Sequence, residues 1–191
     1  MKNLFLSAIA VFTVGFANAQ NVKFGAKAGL NLANISGGGD NSDFALRTSF
    51  YIGGVAEIKV SDKFAVQPEL VYSSQGAKSK ADSNSSLQLD YLNIPVMAKF
   101  IVADGFSLQA GPQVGILLSA SSKNELGSFD VKKELSTVDF SLGLGAGYDI
   151  SENFNVGARF NLGLSKINKE SVTGGNDIKN TVIQIGVGYN F

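Results

Sequence analysis

Apolar residues alternate with polar residues or glycine along most of this 191-residue chain. From Val22 to Leu32 the even positions are apolar, while the odd positions carry lysine, glycine and asparagine. Side chains of a β-strand point alternately to its two faces, so a period of two predicts strands rather than helices. After the first 20 residues, no segment reaches the roughly 18 consecutive apolar residues of a transmembrane helix. The sequence therefore predicts an all-β fold.

The alternation recurs in eight segments, which predict eight strands. They are residues 22–32, 50–60, 64–74, 87–100, 106–118, 138–150, 154–164 and 181–191. Short connections at 61–63, 102–105 and 151–153 alternate with long polar connections at 35–48, 75–86, 119–136 and 165–179. An even strand number, with short turns at one end and long loops at the other, is typical of outer-membrane proteins. We predict an eight-stranded antiparallel up-and-down transmembrane β-barrel.

Two features depart from regular alternation. The apolar positions change phase within residues 87–100, which predicts a β-bulge there. Pro68, Pro95 and Pro112 fall inside predicted strands, where each removes a backbone donor from a barrel that has no free edge. We predict local β-bulges at the three prolines as well.

The first 19 residues have the pattern of a secretory signal peptide. Lys2 precedes an apolar stretch at 4–16, and Ala17-Asn18-Ala19 is a small-x-small cleavage pattern. A membrane anchor is the alternative, which the short apolar stretch disfavours. We expect a cleaved signal peptide over 1–19 and one outer-membrane β-barrel domain over 20–191.

Composition argues against several functional classes. Sixteen basic residues balance 16 acidic residues, so no field of one sign would attract nucleic acid. The chain has no cysteine and no histidine, which removes thiol nucleophiles, Ser-His-Asp triads and most zinc or haem sites. The segment GGGDNSD at 37–43 could hold calcium weakly, but it lacks the spacing of a dedicated calcium loop. We expect no catalytic residues, no cofactor and no bound metal.

The alternation alone leaves two barrels open. A membrane barrel is apolar outside, whereas a soluble lipocalin-like periplasmic carrier is apolar inside. Aromatic residues near the short-turn end favour the membrane barrel, because rings at one height are typical of a girdle at a membrane interface. The predicted girdle consists of Phe24, Phe64, Phe100, Phe106, Tyr148, Phe154, Tyr189 and Phe191.

The polar face of such a barrel would line a narrow lumen, where charges must pair or be hydrated. The candidate lumen charge network is Lys27, Glu57, Glu69, Lys99, Asp139 and Arg159. Glu69 and Arg159 lie at equal heights on strands that face each other across the ring, so their side chains could meet. Lys27 and Glu57 lie at similar heights on adjacent strands and are candidates for a second pair. We expect these charges to plug the lumen, so that the protein is not a diffusion pore.

Four stretches carry a family resemblance: VQPELVYSSQGAK (66–78), DYLNIPVMAKF (90–100), FSLQAGPQVGILLSA (106–120) and NVGARFNLGLSKI (155–167). They resemble the outer-membrane β-barrel domain common in Bacteroidetes-type bacteria, often called the PorT family. The three prolines stand where that family has its Gln-Pro-Glu-Leu, Tyr-Leu-x-Ile-Pro and Gly-Pro patterns. The resemblance implies an eight-stranded outer-membrane barrel with no attached periplasmic domain and no catalytic residues. The founding member is linked to protein secretion, but the resemblance does not imply one activity.

These observations favour a non-enzymatic protein with an envelope-structural or surface-interaction role, exerted through four long outward loops. The alternatives are an accessory of protein secretion across the outer membrane and the soluble carrier. We expect outer-membrane lipid and the outer-membrane assembly machinery as partners, together with an unidentified extracellular or secretion partner. By resemblance, Tyr189 and Phe191 at the end of the last strand are similar to the signal that such machinery recognises.

Overall fold

The computed structural model describes residues 22–37, 44–80, 84–169 and 177–191. The predicted signal peptide and residues 38–43 of the calcium-loop candidate lie outside the described residues. Among the residues that the structure describes, no helix has the length and hydrophobicity needed to span a membrane.

The described residues form antiparallel strands in one sheet that closes on itself. The strands are β1 (Val22–Gly37), β2 (Phe44–Ser61), β3 (Phe64–Ser79), β4 (Ser86–Ala103), β5 (Phe106–Asn124), β6 (Gly127–Asp130), β7 (Val138–Asp149), β8 (Phe154–Gly163) and β9 (Ile178–Asn190). Strand β9 pairs with β1 from Gly25–Asn190 to Gly37–Ile178, which closes the ring. The four-residue β6 only extends β5 as a hairpin. Eight long strands therefore form the barrel, and the predicted fold is confirmed.

Several strands continue further toward the loop end than their hydrophobic pattern predicts. Strands β1, β3 and β5 end at Gly37, Ser79 and Asn124, inside the predicted loops. Their extensions are polar toward solvent, so the apolar alternation that identifies a membrane strand stops before the strand does. Strands β7 and β8 are shorter, with 12 and 10 residues. The barrel wall is thus tall over β1–β5 and low over β7 and β8.

The predicted bulge in β4 was wrong. The odd-numbered residues of β4 point inward along the whole strand, and Leu89, Tyr91, Asn93 and Met97 are all buried. The apparent phase change arises because, near the loop end, the inward residues are apolar and the outward residues Gln88 and Asp90 are polar, whereas the outward residues from Leu92 onward are apolar. The alternation in β4 is unbroken, and what changes is the chemistry of its two faces.

The irregularity near this position lies in β5. Asp90 pairs with Ser119 and Tyr91 pairs with Leu117, which leaves Leu118 without a partner in the β4–β5 ladder. Two residues of β5 therefore oppose one step of β4, as in a β-bulge.

A buried apolar cluster closes the barrel toward the loop end. It consists of Ile35, Ala77, Leu89, Tyr91, Leu117, Ala120, Leu135 and Ile167. Leu135 and Ile167 come from segments that join strands, and a β-bridge between Leu135 and Asn168 holds these segments together. Parts of the predicted loops 119–136 and 165–179 therefore fold into the mouth of the barrel. We call this cluster the apolar layer.

The prolines do not produce the predicted bulges. The strand register is unchanged on the two sides of each proline. Ladder pairing is instead missing opposite each one, between Ala56 and Pro68, between Glu69 and Pro95, and between Val96 and Pro112. A proline has no N–H, so the facing carbonyl loses its donor at these points. The gaps occupy three neighbouring strand pairs across β2–β5.

Tyr91 provides a test of the apolar layer. Its side chain is buried, and its hydroxyl has no hydrogen-bond partner among the described residues. Because a buried unpaired hydroxyl is unfavourable, we expect Tyr91→Phe to raise the free energy of unfolding by up to about 1 kcal/mol. Tyr91→Ala leaves a cavity and is expected to lower it by about 3–5 kcal/mol. Urea unfolding of the refolded protein, followed by the mobility of unheated samples on gels, measures both. A destabilising Tyr91→Phe would show that the hydroxyl has a partner.

Candidate functional site

Glu69 is the centre of a buried ion cluster in the part of the lumen nearer the short-turn end. Its carboxylate accepts two hydrogen bonds from the Arg159 guanidinium, at 2.9 and 2.8 Å, and one from the Lys27 ammonium at 2.9 Å. Glu69 belongs to β3 and Arg159 to β8, so the pair spans the ring. The side chains are 2% and 7% exposed. A bidentate pair with so little solvent is much stronger than a surface ion pair.

A second group of charges adjoins the first. The carboxylate of Glu57 accepts hydrogen bonds from the Lys99 ammonium at 2.9 Å and from the Gln67 amide at 2.7 Å. The Lys99 ammonium also lies 3.6 Å from Asp149. Asp149 is absent from the predicted network. The two groups together contain as many cations as anions, so their charges balance.

The predicted pair of Lys27 and Glu57 was wrong. In the β1–β2 ladder Lys27 lies opposite Gly53, and Glu57 lies opposite Lys23. Strands in a closed barrel are tilted and staggered. Two residues that are equally far from their turns therefore lie at different heights. Lys27 reaches Glu69 instead, two strands away.

Asp139 lies apart from the ion cluster. It is buried near the start of β7, where the Ser165 hydroxyl donates a hydrogen bond of 2.6 Å to its carboxylate. This contact ties the segment after β8 to the wall. The structure therefore brings together five of the six predicted network residues and separates Asp139 from them.

A layer of amide and hydroxyl groups lies above the ion cluster. The Asn31 side-chain amide donates to Ser73 Oγ at 2.9 Å and to the Ser74 carbonyl at 2.7 Å. Gln184 donates to Asn31 Oδ1 at 3.0 Å, and Asn161 donates to Gln184 Oε1 at 2.9 Å. This chain of hydrogen bonds crosses the lumen from β8 to β3. Our sequence reasoning missed it, although all these side chains except Ser74 alternate inward with apolar neighbours.

The lumen thus contains three layers in succession: the ion cluster, the amide layer and the apolar layer. A cavity of about 70 Å³ remains in the ion cluster, and its lining extends from Glu69 and Arg159 to Asn155 and Asn190 at the short-turn end. This space is large enough for a few water molecules. Within the described ranges, no group of three or more acidic side chains could hold a metal ion.

The predicted girdle residues surround the short-turn end on the outside of the barrel. All of them are exposed except Phe64, which is partly buried. The rings of Phe64 and Phe100 lie 4.9 Å apart between centroids, and Tyr189 lies 4.9 Å from Phe154 and 5.6 Å from Phe191. The exterior carries large apolar side chains, while the lumen carries the charges. The carrier alternative, which requires an apolar cavity, was wrong.

Comparison with known proteins identifies the family. The outer membrane protein β-barrel domain matches residues 18–169. The chain belongs to this family. The protein is accordingly an outer-membrane β-barrel protein, in agreement with its apolar exterior and its aromatic girdle.

Solved structures share the fold of this outer-membrane barrel protein. Ail, the attachment invasion locus protein of Yersinia pestis, matches in its complex with the heparin analogue sucrose octasulfate, with a TM-score of 0.53, 18% identity and coverage of 90% of this chain and 99% of Ail. Neisserial surface protein A matches with a TM-score of 0.55, 14% identity and coverage of 88% and 97%. At these identities the similarity concerns the fold. Comparison with curated proteins gives no match.

Glu69→Gln tests the ion cluster. The substitution leaves the buried Lys27 and Arg159 without their shared carboxylate. We expect a loss of about 3–5 kcal/mol in the free energy of unfolding, because an unpaired buried charge is costly. Glu152→Gln, an exposed neutralisation in a short turn, is the matched control and should change it by less than about 0.5 kcal/mol. Urea unfolding measures both variants.

The double variant Glu69→Gln/Arg159→Gln supplies the second arm of this test. It should lose less stability than the sum of the two single variants, since each single change already breaks the same ion pair. Strict additivity would contradict the coupling of the two residues.

Proposed function

We propose that this outer-membrane protein is a non-conducting, non-enzymatic barrel that acts through its loop-end surface, in envelope structure or in contact with partners. The succession of three layers in the lumen is the observation that carries the proposal. A hydrated solute that crossed the barrel would have to break the Glu69–Arg159 bidentate pair and then enter a buried apolar cluster. Both steps are unfavourable, because the first leaves buried charges unpaired and the second brings a polar solute into an apolar surrounding.

The bonding of the lumen charges supports the absence of catalysis. A general acid or base needs a proton position that a substrate can reach. Glu69 and Glu57 each accept hydrogen bonds from two different residues, and Arg159 donates to both Glu69 and Gln109. These groups neutralise one another instead of facing a substrate cleft.

The hairpin of β5 and β6 supports a role in surface contact. Small outer-membrane barrels place their long loops outside the cell, and we assign the loop end of this barrel to that side. Leu126 at the tip of the hairpin is 88% exposed, and Phe129 on β6 is 52% exposed. Large apolar side chains that extend beyond a protein's wall commonly form the centre of an interface.

The PorT resemblance supports a second candidate, an accessory role in protein secretion. The prolines that carry this resemblance, Pro68, Pro95 and Pro112, lie in one wall of the barrel. Normal secretion in a strain that lacks the protein would remove this candidate. Recognition of Tyr189 and Phe191 by the assembly machinery stays a prediction.

Electrical recording tests the closed lumen. We expect the purified, folded protein to give no steady open-channel current in a planar bilayer, because the three layers leave no continuous water path. A general porin from the same preparation is the positive control for insertion. A stable unitary conductance that follows the concentration of folded protein would refute the proposal.

Substitution of the hairpin tip tests surface contact. We expect Leu126→Ser/Phe129→Ser to lower adhesion of protein-expressing cells to one another or to matrix by about tenfold, the effect of about 1.4 kcal/mol. Leu126→Met/Phe129→Tyr keeps the apolar area and is the matched control. These changes leave Leu135 and the apolar layer in place, unlike deletion of the whole loop. Equal adhesion by the serine and control variants would argue against this surface.

A further inference from the structure

We propose that the outer wall near the loop end binds phosphate-bearing lipid headgroups of the outer leaflet through Lys78, Lys123 and Lys132, which we call the basic rim. The inference rests on the proposed orientation, in which the loop end faces the outside of the cell. It adds a ligand class and a site to that function, and it does not depend on the hairpin tip.

Strand register places two of these lysines on the exterior. Lys78 pairs with Ser86, and Ser86 pairs with Lys123, so the three residues form one row across β3, β4 and β5. Directly paired residues point to the same face of a sheet. The next row contains Ala77 and Leu87, which pack in or against the apolar layer inside the barrel. Lys78 and Lys123 therefore point outward, two strands or about 10 Å apart.

Lys132 marks the height at which the apolar exterior ends. Its ammonium donates a hydrogen bond of 2.7 Å to the carbonyl of Leu118. Leu118 is the bulged residue of β5, and its side chain is 44% exposed on the outside. The charge of Lys132 thus lies at the upper edge of the apolar exterior, about 15 Å along β5 from Lys123.

The basic rim has no acidic partners of its own. None of its three ammonium groups forms an ion pair with a described residue, whereas Lys27, Lys59, Lys99 and Lys166 all do. Asp130 is a neighbouring carboxylate, and it accepts a hydrogen bond of 2.8 Å from the backbone N–H of Lys132. Glu125 and Glu134 lie two residues from Lys123 and Lys132 in the sequence, and neither forms an ion pair with them, so no carboxylate neutralises the three ammonium groups within the described residues. Phosphate groups at the membrane boundary complement such cations.

The residues around the basic rim favour a lipid over a soluble phosphate. Ile94, Ile116 and Leu118 are exposed on the same wall below it, so acyl chains and headgroup can bind together. Ser86 lies between Lys78 and Lys123 and offers a hydroxyl to the sugar or phosphate oxygens of a headgroup. A membrane lipid complements both surfaces, because its acyl chains contact the apolar wall and its headgroup contacts the basic rim.

Binding of lipid A to the purified, folded protein in detergent tests the proposal. We expect the wild-type protein to retain lipid A, measured by native mass spectrometry across a lipid titration. Lys78→Gln/Lys123→Gln/Lys132→Gln should weaken binding about a hundredfold at low salt, at about fivefold for each lysine. The three corresponding arginine substitutions keep the charge and should restore binding. Unchanged binding by the glutamine variant would overturn the basic rim.

Two controls make the result specific. Lys23→Gln/Lys59→Gln/Lys63→Gln removes the same charge from exposed lysines at the short-turn end and should leave binding unchanged. An equal loss in this control would overturn the assignment to the loop end. Dephosphorylated lipid A should bind weakly, and tripolyphosphate should compete poorly. Tight binding of either one would overturn a site for phosphate-bearing lipid.

Orientation is tested separately, so that the two proposals can fail independently. The native chain has no cysteine, and Leu126→Cys therefore supplies a single label position. We expect a membrane-impermeant maleimide to label this variant in intact cells. Lipid binding without labelling would overturn the orientation on which the inference rests, whereas labelling without lipid binding would overturn the basic rim alone.

Discussion

The bidentate pair between Glu69 and Arg159 is the contact on which the rest of this barrel depends. It joins β3 to β8 across the ring, so the lumen can be no wider than two extended side chains. Charges in so narrow a lumen are tolerable only when each has a partner. Lys27 pairs with Glu69, and Lys99 pairs with Glu57. The charged residues face the lumen and large apolar residues face outward, so the barrel needs a surrounding of lipid or detergent.

Local sequence patterns predicted the strand number, the outward apolar face and the meeting of Glu69 with Arg159. They failed where position depends on the closed ring. The stagger of adjacent strands could not be read from distances to the turns, so Lys27 was assigned to Glu57 instead of Glu69. Leu89 and Tyr91 are apolar but point inward, so the apolar alternation of β4 has an apparent change of phase at this point. In the sequence, an apolar layer inside a membrane barrel gives the same pattern as a strand shifted by one residue. The amide layer carries no net charge and gave no signal.

Loop length is a poor guide to the surface at the loop end of this barrel. Much of the predicted loop sequence continues the strands of the tall wall, and Leu135 and Ile167 are buried in the mouth. Among the described residues at this end, the β5–β6 hairpin carries the exposed apolar side chains of Leu126 and Phe129. The two proposals assign different contacts to this end of the barrel, with partners above the membrane at the apolar tip of the hairpin and with the membrane surface at the basic rim.

The line of prolines gives the barrel a direction in which it bends most easily. The ladders from β7 through β8 and β9 to β1 run without interruption, whereas each pair from β2 to β5 has lost donors at one point. On the lumen side, side-chain hydrogen bonds join the strands of this sector, since Gln67 of β3 and Lys99 of β4 both donate to Glu57 of β2. When the surrounding bilayer thins or stretches, deformation should concentrate in this sector while the opposite wall moves as a stiff plate. The cross-section of the barrel would then flatten along one fixed axis.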